Sequence, residues 1–171
     1  MDSIIDATAG SRQDRLLLRA EIDDFNAAYA AALDDGRLKD WPAFFTDDAF
    51  YLITSRENHD AGLPVGLVYC EGAGMLRDRA FAIEKTAMFA PRYLRHIVGT
   101  SRLLRGREDG TVEATANYLV LQTLFDRPES TIHQVGTYID RFRRVDGVLK
   151  LQERRCVYDN LLVPNALVYP V

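Results

Sequence analysis

The side chains best suited to chemistry are three histidines, His59, His96 and His133, set 37 residues apart, and two cysteines, Cys70 and Cys156. No histidine has a second histidine or a cysteine at the three- or four-residue spacing that puts two metal ligands on one face. Neither cysteine stands in a Cys-x-His or Cys-x-x-Cys unit, so neither a zinc nor a Rieske site is signalled locally. Glu71-Gly72-Ala73-Gly74-Met75 lacks the third glycine of a dinucleotide turn and reads as a cap before a helix. That leaves His96. Facing into a cavity beside Asp34 and Tyr29 of a first helix, with Tyr51 from a strand, it could act as a general base whose tautomer the acid fixes. The plainer role is a buried or edge histidine held by ordinary hydrogen bonds. His59 and His133 read as surface or interface residues.

The elements that must position these groups follow from periodicity. Residues 1–12 mix Gly, Ser, Asp and Thr without pattern and form an expected loose lead-in; residues 13–171 form one domain. From Gln13 to Gly36, Leu18, Ile22, Phe25, Tyr29, Ala32 and Leu33 make one apolar helical stripe, with Asp23, Asp24, Asn26 and Asp34 off it. A short helix is predicted from Asp40, with Trp41 and Pro42 in its first turn and Phe44 and Phe45 turned to the core, ending at Thr46-Asp47-Asp48. Strands are predicted over Ala49–Thr54 and Val65–Cys70, either side of a polar break at Ser55–Pro64. A helix is predicted over Gly72–Ala90, with Met75, Leu76, Ala80, Ile83, Ala87 and Met88 on one side and Pro91 ending it. Beyond Pro91 the period becomes two, giving long strands at Tyr93–Leu104, Thr111–Asp126, Thr131–Val145 and Val148–Asp159. Asp-Gly pairs mark two hairpins, at Asp109-Gly110 and Asp146-Gly147. From Leu119 onward both faces of the second of these strands are apolar, which requires a cover on each. Helices first and an antiparallel meander last define an α+β cone, a curled sheet holding helices in its concavity.

Composition narrows the function classes. The chain has 171 residues, 21 Lys+Arg and 25 Asp+Glu, for a net charge of −4, with 47% hydrophobic residues. That composition suits a globular domain and gives no reason to expect a nucleic-acid partner. The longest uncharged stretches, Ala114–Phe125 and Asn160–Val171, are too short to cross a bilayer, and the first residues do not read as a secretory signal, so a cytoplasmic protein is expected. Charge is dense at Ser55–Asp60, at Arg77-Asp78-Arg79, and on the last two strands at Arg141, Arg143, Arg144, Glu153, Arg154 and Arg155. Arginine favours interfaces, so these strands are expected to meet another subunit. The apolar, proline-broken tail Leu161–Val171 must pack on something.

The order of short motifs resembles the small (β) subunit of aromatic-ring-hydroxylating dioxygenases. The likeness rests on Asp40-Trp41, Phe44-Phe45-Thr46-Asp47-Asp48, Tyr51-x-Ile53-x-Ser55-Arg56-Glu57-Asn58, Gly62-Leu63-Pro64, Gly74-Met75-Leu76-x-Asp78-Arg79, Arg95-His96, Gly147-x-Leu149-x-Leu151 and Tyr158-Asp159-Asn160. The stretch around Arg56-Glu57-Asn58 is most similar to the branch acting on aromatic carboxylates of the anthranilate, salicylate and terephthalate type. One departure is Gly99-Thr100, where many members carry Ser-Asn. The resemblance implies an NTF2-like (cystatin-like) cone and a structural subunit with no catalytic residue, cofactor or metal of its own. It implies an α-subunit partner holding a Rieske [2Fe–2S] cluster and a mononuclear iron, in a trimer-based α3β3 assembly. Subunit contacts are then expected at Arg56, Glu57, Asn58, Leu63, Arg77, Arg79, Arg95, Arg141, Arg143 and Arg154. The competing reading is a dehydratase or isomerase on the same cone, using His96, Asp34, Tyr29 and Tyr51.

Overall fold

The computed structural model describes residues 4–5, 11–86, 88–107, 109–163 and 169–171. A long helix α1 (Arg12–Asp34) opens on a capping box, in which Ser11 Oγ accepts from the Asp14 amide and the Asp14 carboxylate accepts from the Ser11 amide. Its stripe packs as the spacing requires, with Ile22, Tyr29, Ala32 and Leu33 buried. A 3-10 turn at Leu38–Phe44 buries Trp41. It ends one residue before Phe45, where strand β2 (Phe45–Ser55) begins, four residues earlier than the sequence suggests. The polar break contains a short helix α2 (Arg56–Asp60), and β3 (Val68–Glu71) follows.

Helix α3 (Gly72–Lys85) buries Ala73, Leu76, Ala80 and Ile83 but stops well short of Pro91. Met75 and Met88, expected inside, are exposed, and Ala87 lies outside the described residues. The strand expected at Tyr93–Leu104 is two: β4 (Arg92–Val98) and β5 (Arg102–Arg107) pair in succession along one edge of β6 (Val112–Leu124). The amide of Ser101, at the break between them, is caught by Asp23 of α1 (2.7 Å). Strands β7 (Ser130–Val145) and β8 (Val148–Tyr158) complete the meander. Their hairpin has Asp146 at φ 52° and Gly147 at φ 81°, the two left-handed residues a tight two-residue turn requires.

Among the described residues the sheet has eight strands, counting β1 (Ile4–Ile5), which draws part of the expected lead-in against β5. The order is β1-β5-β6-β7-β8-β2-β3, with β4 beside β6. The fold is the expected α+β one, but the sheet is mixed: β2 runs parallel to β8, its only parallel pairing among the described residues. Register shifts interrupt four of its ladders, and two of them bear on the interior. Val120 pairs with Gln134 while Leu121 pairs with Ile132, so His133 is the extra residue; Arg141 pairs with Glu153 while Phe142 pairs with Leu151, so Gln152 is extra. Such bulges add twist and reverse which side chains point inward.

Candidate functional site

His96 and Asp34 do meet. Asp34, the last residue of α1, accepts from His96 Nδ1 at 2.6 Å and from the His96 amide at 3.1 Å, while Arg95 Nη1 approaches at 3.6 Å. That amide points away from β6, on the edge of β4 that carries no strand among the described residues. One carboxylate therefore ends the exposed backbone edge and pins the helix terminus to it, a means of protecting a sheet edge. The His96 side chain is wholly buried and its Nε2 has no hydrogen-bond partner among the described residues. A groove of about 520 Å³ runs between α1 and the β4–β5 break, lined by Asp23, Asn26, Asp34 and main chain around Ile97 to Thr100.

Tyr29 and Tyr51 are engaged elsewhere. The Tyr29 hydroxyl accepts from Trp41 Nε1 (2.9 Å) and donates to the Val171 carbonyl oxygen (3.2 Å); Tyr51 donates to the same oxygen (3.1 Å) and accepts from the Val171 amide (3.0 Å). Val171 is fully buried and Tyr169 stacks edge-on against Phe89, so the far end of the expected tail packs inside, whereas Leu161 and Leu162 at its start are exposed; residues 164–168 lie outside the described residues. Burial pushes the Tyr29 and Tyr51 phenols up, away from ionisation, with Arg154 opposing the rise at Tyr29. The four residues of the enzymatic reading are thus an acid–histidine pair and, apart from it, two tyrosines clasping Val171.

The centre of the cone belongs to Arg154. Expected at a subunit surface, it is instead completely buried. Its Nε and Nη2 make a bidentate pair with Asp140 (2.9 and 2.7 Å), Nη2 also donates to Asn26 Oδ1 (2.6 Å), and its guanidinium lies between the rings of Tyr29 (4.3 Å) and Tyr138 (4.1 Å). Burial works against the charge, but the Asp140 carboxylate holds Arg154 protonated well above its ordinary range. Tyr138 stacks on Tyr118, whose hydroxyl donates to Gln134 (2.7 Å). His133 corrects a second expectation: it is 2% exposed, not a surface residue, and burial, with help from Arg92 and His96, drives its pKa down to about 4. The bulges are the cause. Counting forward from Leu149 and Leu151 puts Arg154 outside; the extra residue at Gln152 turns it in. The inward parity of Tyr138-x-Asp140-x-Phe142 was the available sign of a buried acid awaiting a base.

The other arginines spend much of their charge within the chain. Arg105, Arg107 and Arg141 all face Glu113, and Arg141 and Arg155 face Glu153, a ladder of alternating sign across four strands. Arg143 pairs with Asp48 (2.7 Å) and Arg56 with Asp159 (2.6 Å). Arg77, Glu57 and Leu63 are exposed, Asn58 is half-buried with its amide on Ser55 Oγ, and Arg79 is half-buried on α3. Among the described residues no group of three or more His, Cys, Asp or Glu converges to hold a metal. The donor set does not fit a Rieske cluster: Cys70 and Cys156 lie on opposite sides of β2, and burial lifts the Cys156 thiol to about 12.

A curled sheet closed over helices, with its interior committed to internal pairs, is the NTF2-like class of fold. The sequence pattern of the ring-hydroxylating beta subunit family matches residues 28–165, and the chain belongs to that family. It is therefore a subunit of a dioxygenase complex, an oxidoreductase. It is 33% identical to the terephthalate 1,2-dioxygenase terminal oxygenase component subunit beta 2 of a Comamonas species, over 88% of this chain and 97% of that one. It is 36% identical to the anthranilate 1,2-dioxygenase small subunit of Burkholderia cepacia, over 84% of this chain and 88% of that one. A crystal structure of a beta subunit ascribed to an aromatic-ring-hydroxylating dioxygenase of Novosphingobium aromaticivorans superposes with a TM-score of 0.83 at 40% identity, covering 91% of this chain and 98% of that one.

Proposed function

We propose that this chain is a non-catalytic, structural β subunit that supports assembly with an iron-bearing α subunit, and that the complex oxidises an aromatic carboxylate in the cytoplasm. The observation that carries this is the cone interior. Its largest buried side chains, Trp41, Arg154, Tyr29, Tyr51, Tyr138 and Phe142, fill it and bind one another. In this reading the α subunit holds the Rieske cluster and the mononuclear iron and chooses the substrate. The β subunits associate as a trimer within an α3β3 hexamer. The relatives named for terephthalate and anthranilate support the substrate class. The test is capture of the tagged chain from its native cell extract, followed by mass and iron–sulfur absorption of what is retained. An iron–sulfur protein held in equal amount is expected; a lone monomer that never captures one overturns the proposal.

One observation favours a second reading. The 2.6 Å contact between His96 and Asp34, with Nε2 left unpartnered, is the start of a general base. Against it, the ring has no exposed surface and the tyrosines meant to assist it are bound to Val171. His96→Gln in the assembled complex separates the two: turnover persists for a structural clamp and vanishes for a base.

A further inference from the structure

Along β2 the side chains alternate: Tyr51 and Ile53 join the core of the cone, while Phe50, Leu52 and Thr54 take the outer face. Yet Leu52 and Thr54 are only 3% and 1% exposed. Their cover is the loop after α2. Gly62 turns it at φ 65°, Thr54 Oγ1 donates to the Val65 carbonyl oxygen (2.6 Å), and the Leu67 amide donates to the Ile53 carbonyl oxygen (2.7 Å). At Gly66 the loop comes so close that a Cβ would lie 2.5 Å from Leu52 Cδ1 and 2.7 Å from the Ile53 carbonyl oxygen. The loop is thus fastened to the sheet, and the recess of about 290 Å³ that it leaves against β2 and β3 is preformed, as small-molecule sites are.

Register sets its floor. Tyr69 pairs with Leu52 and Leu52 with Arg155, so a phenol, an aliphatic side chain and a guanidinium stand in one row across β3, β2 and β8. Two strand spacings, about 10 Å, separate the ends of that row. In the next row Phe50 meets Tyr69 edge-on, ring centres 5.2 Å apart, and lies under the Arg155 guanidinium at 5.0 Å. Leu63 and Pro64 make the wall on the loop side, and His59 of α2 adds an imidazole to the lining. Arg155 engages Glu153 through Nε alone, and Glu153 also pairs with Arg141. Nη1 and Nη2 of Arg155 make no hydrogen bond among the described residues. The recess is therefore apolar and aromatic at one end and carries a planar cation with unused donors at the other. A flat ring bearing a carboxylate has the complementary polarity, since a guanidinium binds that group through paired hydrogen bonds.

We propose that this recess is a binding site for an aromatic carboxylate, its ring held among Tyr69, Leu63 and Pro64 and its carboxylate paired with Nη1 and Nη2 of Arg155. The ligand is then of the class that the complex oxidises, an identification that rests on the proposed function. The role is accessory: the site holds the acid on the β subunit and leaves its oxidation to the α subunit. It is also separate from the groove beside His96 and Asp34, which lies between α1 and the β4–β5 break.

The test titrates the full chain with benzoate, benzamide and acetate, following backbone amide signals by NMR. Benzoate is expected to saturate with a Kd on the order of 1 mM, within reach of a ligand this small. The amides of Gly62 and Leu67 should shift, and that of Gly99 in the groove beside His96 should not. Benzamide, which keeps the ring and lacks the charge, should bind at least about tenfold more weakly. Acetate, which keeps the charge and lacks the ring, should lose at least about tenfold as well. Arg155→Gln and Tyr69→Ala remove the two ends of the site separately, with circular dichroism and urea unfolding confirming that each variant folds. Each should weaken benzoate at least about tenfold. Benzamide equal to benzoate, folded variants that bind benzoate unchanged, shifts centred on Gly99, no saturation at tens of millimolar, or binding lost in the assembled complex overturns the inference. Capture of an iron–sulfur protein is scored on the same preparations. Capture without benzoate binding sinks the recess and spares the proposed function, and benzoate binding without capture does the reverse.

Discussion

The inside of the cone and the outside of its β4–β6–β7 end reverse the usual distribution of polarity. Inside lie Arg154, Asp140, Asn26, Gln134 and His133, all nearly inaccessible; outside lie Tyr93, Ile97, Phe125 and Ile132, each more than half exposed. A buried charge is tolerated only when paired, and here it is paired bidentately and stacked between two rings. An exposed apolar face has no such internal remedy and is relieved only by another surface. The central charge thus has its counter-ion within one chain, and the exterior apolar face has no cover among the described residues.

The largest expected effect comes from breaking the interior pair. Arg154→Ala leaves Asp140 buried without its partner and should cost about 3–5 kcal/mol in urea unfolding. Arg154→Met combined with Asp140→Leu should recover much of that, because both desolvated charges go together. If Arg154→Ala costs no more than an exposed substitution, the interior half of the contrast is wrong. Gly136→Ala is next. A Cβ there would lie 2.2 Å from the Val157 carbonyl oxygen and 2.8 Å from Tyr158 Cα, contacts only a backbone shift can relieve. A loss of about 1–3 kcal/mol is expected, the usual cost of overpacking.

A graded effect follows from His133. Its folded pKa of about 4 lies below the ordinary 6.5, so the unfolded chain takes up the proton first as pH falls. Its contribution is full above pH 6.5 and is lost progressively as pH falls toward 4. His133→Gln should flatten that window in a series of unfolding midpoints. Asp34→Asn, which weakens the clamp between α1 and the β4 edge, should cost about 1–2 kcal/mol. Arg143→Ala, on an exposed pair with Asp48, should cost under about 1 kcal/mol and less still in high salt. A large loss there would show that the outer surface stabilises the protomer itself.

The long helix, the three last strands and both hairpin turns were legible in the sequence, because each is a local pattern: a 3.6-residue stripe, a two-residue alternation, an Asp-Gly pair. The acid–histidine contact was legible as a pair of candidates, since one charged residue ends the helix and one imidazole begins a strand. The misreadings of His133 and Arg154 share a cause. Alternation carried along β7 from Gln134 would bury Ile132 and expose His133, and along β8 from Leu151 it would expose Arg154; one extra residue in each strand reverses all three. The parallel pairing of β2 with β8 was equally hidden, because it joins residues about 100 positions apart.

Residue types and their spacing determined on their own that this is a helix-then-sheet domain, since burying an amphipathic stripe on a curled sheet requires nothing but period; the β-subunit kinship rested on the resemblance of its short motifs. Only the folded chain decided which polar groups went inside, because bulge positions and nonlocal pairings arise when strands meet, and a shift of one residue carries every side chain beyond it to the other face.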